Sequence, residues 1–343
     1  MKRSRLLRLL GLEAGVLCGL SFLGSSHASN LAITGNLFKK QLLSSITGNL
    51  SEKLFLTHQG QSRSYRIYGP ELLPETPCAA VLLLHGNGGS ADQLIGVTGQ
   101  QAPHQLWMPI ADREHLILII PDGLVGPNGK PGWNDARNIA SNPDSDDVAF
   151  LNNLVETVAE SYPIDFQRVY ATGMSNGGHM ALRLAAEVPE KFAAVAAVAA
   201  ANPDPIFVDQ PQYSISVLLM NGTDDQILPY EGGEMSRDRG KVQSTDDSIQ
   251  YWVTHNNCEK IPRFSRYTNQ SRTDGCTASR TTYSNLTTNV EVSLVRIRGG
   301  GHTEPSISQP YSRLFLAIVG AQNQDIEMAD EVWKFFQDKS TSL

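Results

Sequence analysis

The feature that most constrains this chain is a junction. A predicted strand, Arg168-Val-Tyr-Ala-Thr172, leads through Gly173-Met-Ser-Asn-Gly177 into a helical pattern that begins at Asn176. A G-x-S-x-G turn between strand and helix puts the serine on a sharp bend and exposes its hydroxyl. The glycines let neighbouring backbone pass close by. The helix start adds free N–H groups and the positive end of the helix dipole beside that hydroxyl. Ser175 is therefore a candidate nucleophile rather than an ordinary turn residue.

Such a turn belongs at the carboxyl end of a buried parallel strand, and the rest of the chain supplies companions. Residues 79–84 are continuously apolar, as in a strand covered on both faces. Residues 115–120, 169–172, 192–200, 215–220 and 290–297 read as further strands, and 54–57 with 64–68 as an antiparallel pair turning at Gly60. Helical patterns at 146–161, 176–188, 248–256 and 329–338 alternate with them. The expected fold class is α/β, a mostly parallel sheet with helices on both faces. Residues 122–145 and 303–327 are turn-rich and break the alternation. Ligands bind beyond the carboxyl ends of strands in open parallel sheets, so both stretches are candidate cleft walls.

A nucleophilic serine needs a base and a group to orient it, and on this kind of sheet they follow in the order serine, acid, histidine. Asp224 and Asp225 follow the 215–220 strand, and either satisfies the order. His302 follows the last strand after three glycines. The expected oxyanion donors are the backbone N–H of Asn176 and one from the loop His85-Gly-Asn-Gly-Gly89, where Asn87 and Gly88 are both open. That loop lacks the lysine and spacing of a phosphate loop. His179, one turn into the helix, is expected to pack, and His58, His104, His115 and His255 have no partner motif. Asp146 and Asp147 precede a helical stretch and read as caps. Trp133, an aromatic residue in the first irregular loop, is the expected pocket wall. H-E-x-x-H and C-x-x-C spacings are missing, so neither a metal nor a cofactor is expected.

A net charge of −7, with no basic run after the N-terminus, argues against nucleic acid or an anionic membrane as partner. The expected partner is a small or oligomeric ester, and oligomeric state is not indicated. Residues 1–28 read as a signal peptide: a basic start, an apolar stretch to about Gly24, and Ser26-His-Ala28 at the cleavage site. The apolar run after Glu13 is too short to span a bilayer. An exported chain, extracellular or periplasmic and without stable membrane insertion, is expected. Residues 29–52 read as a lead-in and 53–343 as one catalytic domain with no linker or appended binding module. In an oxidising compartment Cys258 and Cys276, which flank a polar stretch, should form a disulfide worth roughly 3 kcal/mol. Cys78 then remains a core thiol.

From residue 54 to 338 the chain resembles the secreted polyhydroxybutyrate-depolymerase-like esterases of the α/β-hydrolase fold, relatives of feruloyl and acetylxylan esterases. The blocks that carry the resemblance are Leu84-His-Gly-Asn-Gly-Gly-Ser90, Pro121-Asp-Gly123 with Trp133-Asn134, and Asp146-Asp-Val-Ala-Phe-Leu151. They continue from Arg168 through Met180, then Asn221-Gly-Thr-Asp-Asp225 with Pro229-Tyr230, and Gly299-Gly-Gly-His-Thr303. Asp325-Ile326 and Val332-Trp-Lys-Phe-Phe336 complete the set. The resemblance implies a triad of Ser175, Asp225 and His302, and so favours Asp225 over Asp224. It implies ester hydrolysis through an acyl-enzyme, on hydroxyalkanoate oligomers or polyester, or on feruloyl or acetyl esters. It also sets Cys258 in the family's cysteine-bearing region after a helix.

Two departures stand out. Glu304-Pro-Ser306 follows Gly-His-Thr where the family often has Trp-Pro-Gly, which puts an acidic residue at the expected substrate pocket. Asn221 replaces the family's histidine before Gly-Thr. The competing readings are a serine peptidase and a non-catalytic binding protein on a hydrolase scaffold. The chain is too short for the propeller of large oligopeptidases, and such binding proteins usually lose a triad member.

Overall fold

The structure is a computed structural model that describes residues 46–137, 141–206, 211–236 and 238–341. The expected signal peptide, and the lead-in as far as residue 45, lie outside the described residues.

Eleven strands form one sheet. In chain order these are β1 (Asn49–Leu50), β2 (Leu54–His58), β3 (Gln61–Gly69), β4 (Cys78–Leu84), β5 (Ile117–Pro121) and β6 (Ile164–Met174). They continue with β7 (Ala194–Val198), β8 (Ser216–Gly222), β9 (Arg263–Arg266), β10 (Thr277–Asn285) and β11 (Val290–Arg298). The spatial order is β1-β3-β5-β4-β6-β7-β8-β11-β10-β9, with β2 added to β3. Neighbours from β5 through β11 pair in parallel, and the pairs at both edges are antiparallel. This is the α/β-hydrolase arrangement.

The parallel strands read as unbroken apolar runs because both faces are covered. Along β4, Ala80, Leu82 and Leu84 join one core while Ala79, Val81 and Leu83 join the other, as the two-residue period of a strand requires. The helices α3 (Asp147–Ala159), α4 (Asn176–Glu187) and α5 (Thr245–His255) contribute Leu154, Met180 and Trp252 to the first core. On the opposite face, α2 (Trp107–Glu114) and α7 (Met328–Phe336) bring Trp107 and Phe336, whose rings stack at 6.3 Å. Each fully buried side chain of this size stabilises the fold by roughly 1.5–3 kcal/mol. Two short helices, α1 (Ala91–Leu94) and α6 (Arg313–Val319), line one cavity together with the loop that leaves the carboxyl end of β4.

Several expectations need correction. The sheet begins at Asn49, within the stretch read as lead-in, because Asn49 and Leu50 pair with Gly69 and Tyr68. Strands β9 and β10 lie in a polar stretch: β9 is exposed throughout, and β10 buries only Ala278 and Thr282. The second irregular loop contains α6. His115 is not in a strand but closes α2 in the left-handed region at φ 55°.

The expected Cys258–Cys276 disulfide is absent. Cys78, Cys258 and Cys276 are free and buried thiols. Cys258 packs in the core on one face of the sheet and Cys276 in the core on the other, so the sheet itself separates them. Burial raises both thiols, Cys258 to about 11 and Cys276 to about 12, which keeps them protonated and unreactive.

Candidate active site

β6 ends at Met174, and Ser175 turns the chain into α4 at φ 55° and ψ −120°. A non-glycine residue held there is strained by about 1–3 kcal/mol. Its neighbours enforce the bend: Ser175 N–H donates to Val198 O at 2.8 Å, and His179 N–H to Ser175 O at 2.9 Å. The glycines are needed for close approach. A Cβ on Gly177 would lie 2.1 Å from Leu84 O, and one on Gly173 would lie 2.5 Å from the Gly177 carbonyl carbon.

Asp225 follows β8 and His302 follows β11, which are neighbours in the sheet. His302 Nδ1 lies 2.7 Å from Asp225 Oδ2. A carboxylate only accepts, so Nδ1 carries the proton and Nε2 is left as the basic nitrogen. The other carboxylate oxygen accepts from Ile227 N–H at 2.7 Å and Leu228 N–H at 2.8 Å. Asp225 is thus fixed by three donors, whereas the Asp224 carboxylate is exposed and, among the described residues, accepts only from Thr223 Oγ1. Ser175 and His302 share no hydrogen bond. Both follow the carboxyl ends of parallel strands of one sheet, Ser175 after β6 and His302 after β11.

The glycine-rich loop resolves the ambiguity over the second donor. Gly88 N–H is consumed by Pro131 O at 2.7 Å and Gly89 N–H by Gly86 O at 3.0 Å. Gly88 is therefore removed as an oxyanion donor, and Asn87 remains the candidate. The loop lies against the serine, since a Cβ on Gly86 would stand 3.6 Å from Ser175 Cβ. The first N–H groups of α4, Asn176 among them, have no acceptor within the helix.

Trp133 is not a pocket wall. It is fully buried, donates Nε1–H to His85 O at 2.9 Å and packs against the His85 ring at a tilt of 42°. Its backbone brackets the Asn176 side chain: Trp133 N–H donates to Oδ1 at 2.7 Å, and Nδ2–H donates to Trp133 O at 3.0 Å. Trp133 thereby braces the glycine-rich loop and the elbow from behind.

Sequence reasoning missed the polar residues that hold this brace. Asp135, fully buried, accepts from Asn176 Nδ2 at 2.6 Å and pairs with Arg137 at 2.5 Å. Burial alone would raise the Asp135 carboxyl, but Arg137, His179 and Asn176 hold it below its usual range. Asp147 is not a cap. Asp146 takes that role by accepting from Ala149 N–H, while Asp147 is buried against Arg63 at 2.8 Å and accepts from Asn134 N–H at 2.7 Å. One signal was legible, because Arg63 shares the inward face of β3 with Tyr65 and Ile67 and so needed a buried partner. His179 packs as expected, with Nδ1 at 2.8 Å from Ala201 O. Burial and Arg137 lower its pKa to about 3. Asn221 latches Ala200 and Thr245 through its amide.

Glu304 lines a cavity of about 520 Å³ beside the elbow, which it shares with His85, Gly86, Asn87 and the α6 residues Leu314, Phe315 and Ile318. Its carboxylate accepts from Tyr311 Oη at 2.7 Å and faces His104 Nδ1 at 3.4 Å. Burial would raise its pKa, but the His104 contact and the Tyr311 hydroxyl outweigh that and hold it below the usual carboxylate range.

Residues 74–261 match the phospholipase/carboxylesterase family. The chain belongs to that family. Its relatives include NocK of Nocardia uniformis subsp. tsuyamanensis, assigned as an esterase, at 32% identity over 80% of this chain and 79% of that protein. Feruloyl esterase B of Piromyces equi is 29% identical over 55% of this chain, and feruloyl esterase D of Neurospora crassa 28% over 52%. The chain spans only 34% and 59% of the lengths of those two enzymes. Among solved structures, acetyl xylan esterase from Aspergillus awamori superposes with a TM-score of 0.53 over 84% of this chain and 99% of that one, at 16% identity. That likeness speaks to the fold alone.

Proposed function

We propose that this carboxylesterase-family hydrolase is an exported serine esterase that cleaves its substrate through an acyl-enzyme. Ser175 is the nucleophile, His302 Nε2 accepts its proton, and Asp225 holds the imidazole in the required tautomer. The hydroxyl oxygen adds to the ester carbonyl, and the backbone N–H groups of Asn176 and Asn87 receive the developing oxyanion. His302 then protonates the leaving alcohol. Water, deprotonated by the same imidazole, releases the acid and restores Ser175. The observation that carries this reading is the 2.7 Å His302–Asp225 hydrogen bond, set beside a serine whose backbone is held at φ 55°.

The names of the relatives and the blocks shared with the polyhydroxybutyrate-depolymerase-like esterases direct the substrate towards feruloyl, acetyl or hydroxyalkanoate esters. The basic start and the small residues at Ser26 and Ala28 support export. Kinetics with p-nitrophenyl acetate test the mechanism. Ser175→Ala is expected to lose at least about 10⁴-fold in kcat, and Asp225→Asn a similar factor through the wrong histidine tautomer. Wild-type turnover by the Ser175→Ala protein would reject the assignment. A panel of methyl ferulate, acetylated xylan and hydroxybutyrate oligomers ranks the substrate classes.

A further inference from the structure

The cavity beside the elbow has a polar floor that the hydrolytic chemistry does not use. We propose that it is a subsite for a neutral, hydroxyl-bearing group of the ester, with Glu304 as the acceptor that selects it. The inference rests on the ester-hydrolase reading and adds the chemistry of the group that is bound.

Glu304 is 5% exposed, yet it borders the cavity. An ionised carboxylate offers about four acceptor positions. Tyr311 Oη–H fills one, at 2.7 Å. His104 Nδ1 stands 3.4 Å from the other oxygen without an aligned hydrogen bond. A buried charge with unfilled acceptor positions gains strongly from a new donor. Gln322 fixes the backbone on either side of this carboxylate: its amide donates to Glu304 O at 2.9 Å and accepts from Tyr311 N–H at 2.8 Å.

The subsite is in reach of the reacting centre from two sides. Glu304 lies two residues beyond His302, at most about 7 Å along the chain. The opposite wall includes Gly86 and Asn87 of the proposed oxyanion loop. The rest of the lining includes Leu94, Pro103, Phe315 and Ile318, which suits a ring or short chain carrying the hydroxyl. A group ending in a carboxylate would meet Glu304 as a like charge and be rejected. The hydroxyl could be carried by the acyl group or by the alcohol, and the same floor serves either.

The test compares wild-type kcat/KM within two pairs of esters. The acyl pair is methyl phenylpropanoate and its para-hydroxy derivative; the alcohol pair is cyclohexyl acetate and the monoacetate of cyclohexanediol. At least about tenfold preference for the hydroxylated member is expected in one pair, since a site built to bond a hydroxyl rejects the analogue that lacks it. The pair that discriminates identifies which side of the ester enters the cavity. The para-carboxy acyl ester should be the poorest of the acyl series. Glu304→Gln should shrink the hydroxyl preference to within about threefold and relieve the rejection of the carboxylate. Equal rates within both pairs, in a wild-type enzyme that turns over p-nitrophenyl acetate, would overturn the inference. An enzyme that hydrolyses none of these esters would instead remove the ester-hydrolase reading on which it rests.

Discussion

Two regions hold Asn176, and they do so by different physics. On one side the elbow from β6 into α4 is fixed by backbone against backbone: Gly173 and Gly177 let the turn close on Leu84 and on itself. On the other side the described part of the loop at 122–145 has one two-residue strand pair, Leu124–Val125 with Pro131–Gly132, and it is fixed by buried polar contacts of long sequence range. Arg63 holds Asp147, Asp147 holds Asn134, Trp133 grips Asn176 and Asp135 grips it again. The elbow tolerates no added atoms, whereas the loop tolerates no unpaired charges. A donor aimed at a developing oxyanion needs both, because a small misplacement costs much of its effect.

That contrast can be broken at either end. Gly177→Ala is expected to have the largest effect, because its Cβ would meet Leu84 O at 2.1 Å and Leu84 sits in the central strand β4. Neither partner is a side chain that can swing away, so we expect no folded protein, or a loss above about 4 kcal/mol in urea unfolding. A variant of near wild-type stability would show that the elbow is looser than described. Arg63→Ala comes next. It strands Asp147 in a buried site and should lower stability by about 3–5 kcal/mol, with the sheet intact by circular dichroism.

Asp135→Asn sharpens the comparison at the point where the regions meet. The substituted side chain keeps an oxygen for Arg137 but weakens the charge-assisted bond to Asn176. We expect kcat to fall about ten- to hundredfold with KM little changed. An equal change in KM alone would place Asp135 in substrate binding instead. The smallest effect concerns His179, which packs between the two regions. Its folded pKa of about 3 lies below its ordinary value of 6.5. The unfolded chain therefore binds the proton more readily, so this contribution to stability is complete above about pH 6.5 and is lost as pH falls towards 3. Between pH 7 and 6 the loss from this group should stay below about 1 kcal/mol, and His179→Gln should flatten it in urea midpoints measured across that range.

The same contrast explains what could be read from the sequence. The parallel strands were legible because burial on both faces makes them continuous apolar runs, and the elbow because its glycines have a local reason. Ser175 and His302 followed from their places at strand ends. Asp225 was singled out by resemblance, and its geometry supplies the reason in the two backbone donors of Ile227 and Leu228. Strand β10, one in from the edge, escaped because Thr-Ala-Ser-Arg-Thr-Thr-Tyr-Ser-Asn is half-buried along most of its length and shows no apolar alternation. Trp133 was misread because an aromatic residue in a loop looks the same in sequence whether it lines a pocket or braces one from behind. Gly88 and the cysteine pair turned on which partner sits across space: the Pro131 carbonyl takes one, and the sheet divides the other. Glu304 was visible only as a departure from a family pattern, and its contact with His104 spans 200 residues that no local motif connects.

The central claim, that Ser175 is a nucleophile activated by His302 and Asp225, is tested most directly by covalent labelling with a fluorophosphonate followed by peptide mass mapping. One adduct per chain on the peptide bearing Ser175 is predicted, lost in Ser175→Ala and slowed by at least about 10³-fold in His302→Ala. Labelling at another serine, or ester turnover by a protein that takes up no label at Ser175, would contradict it.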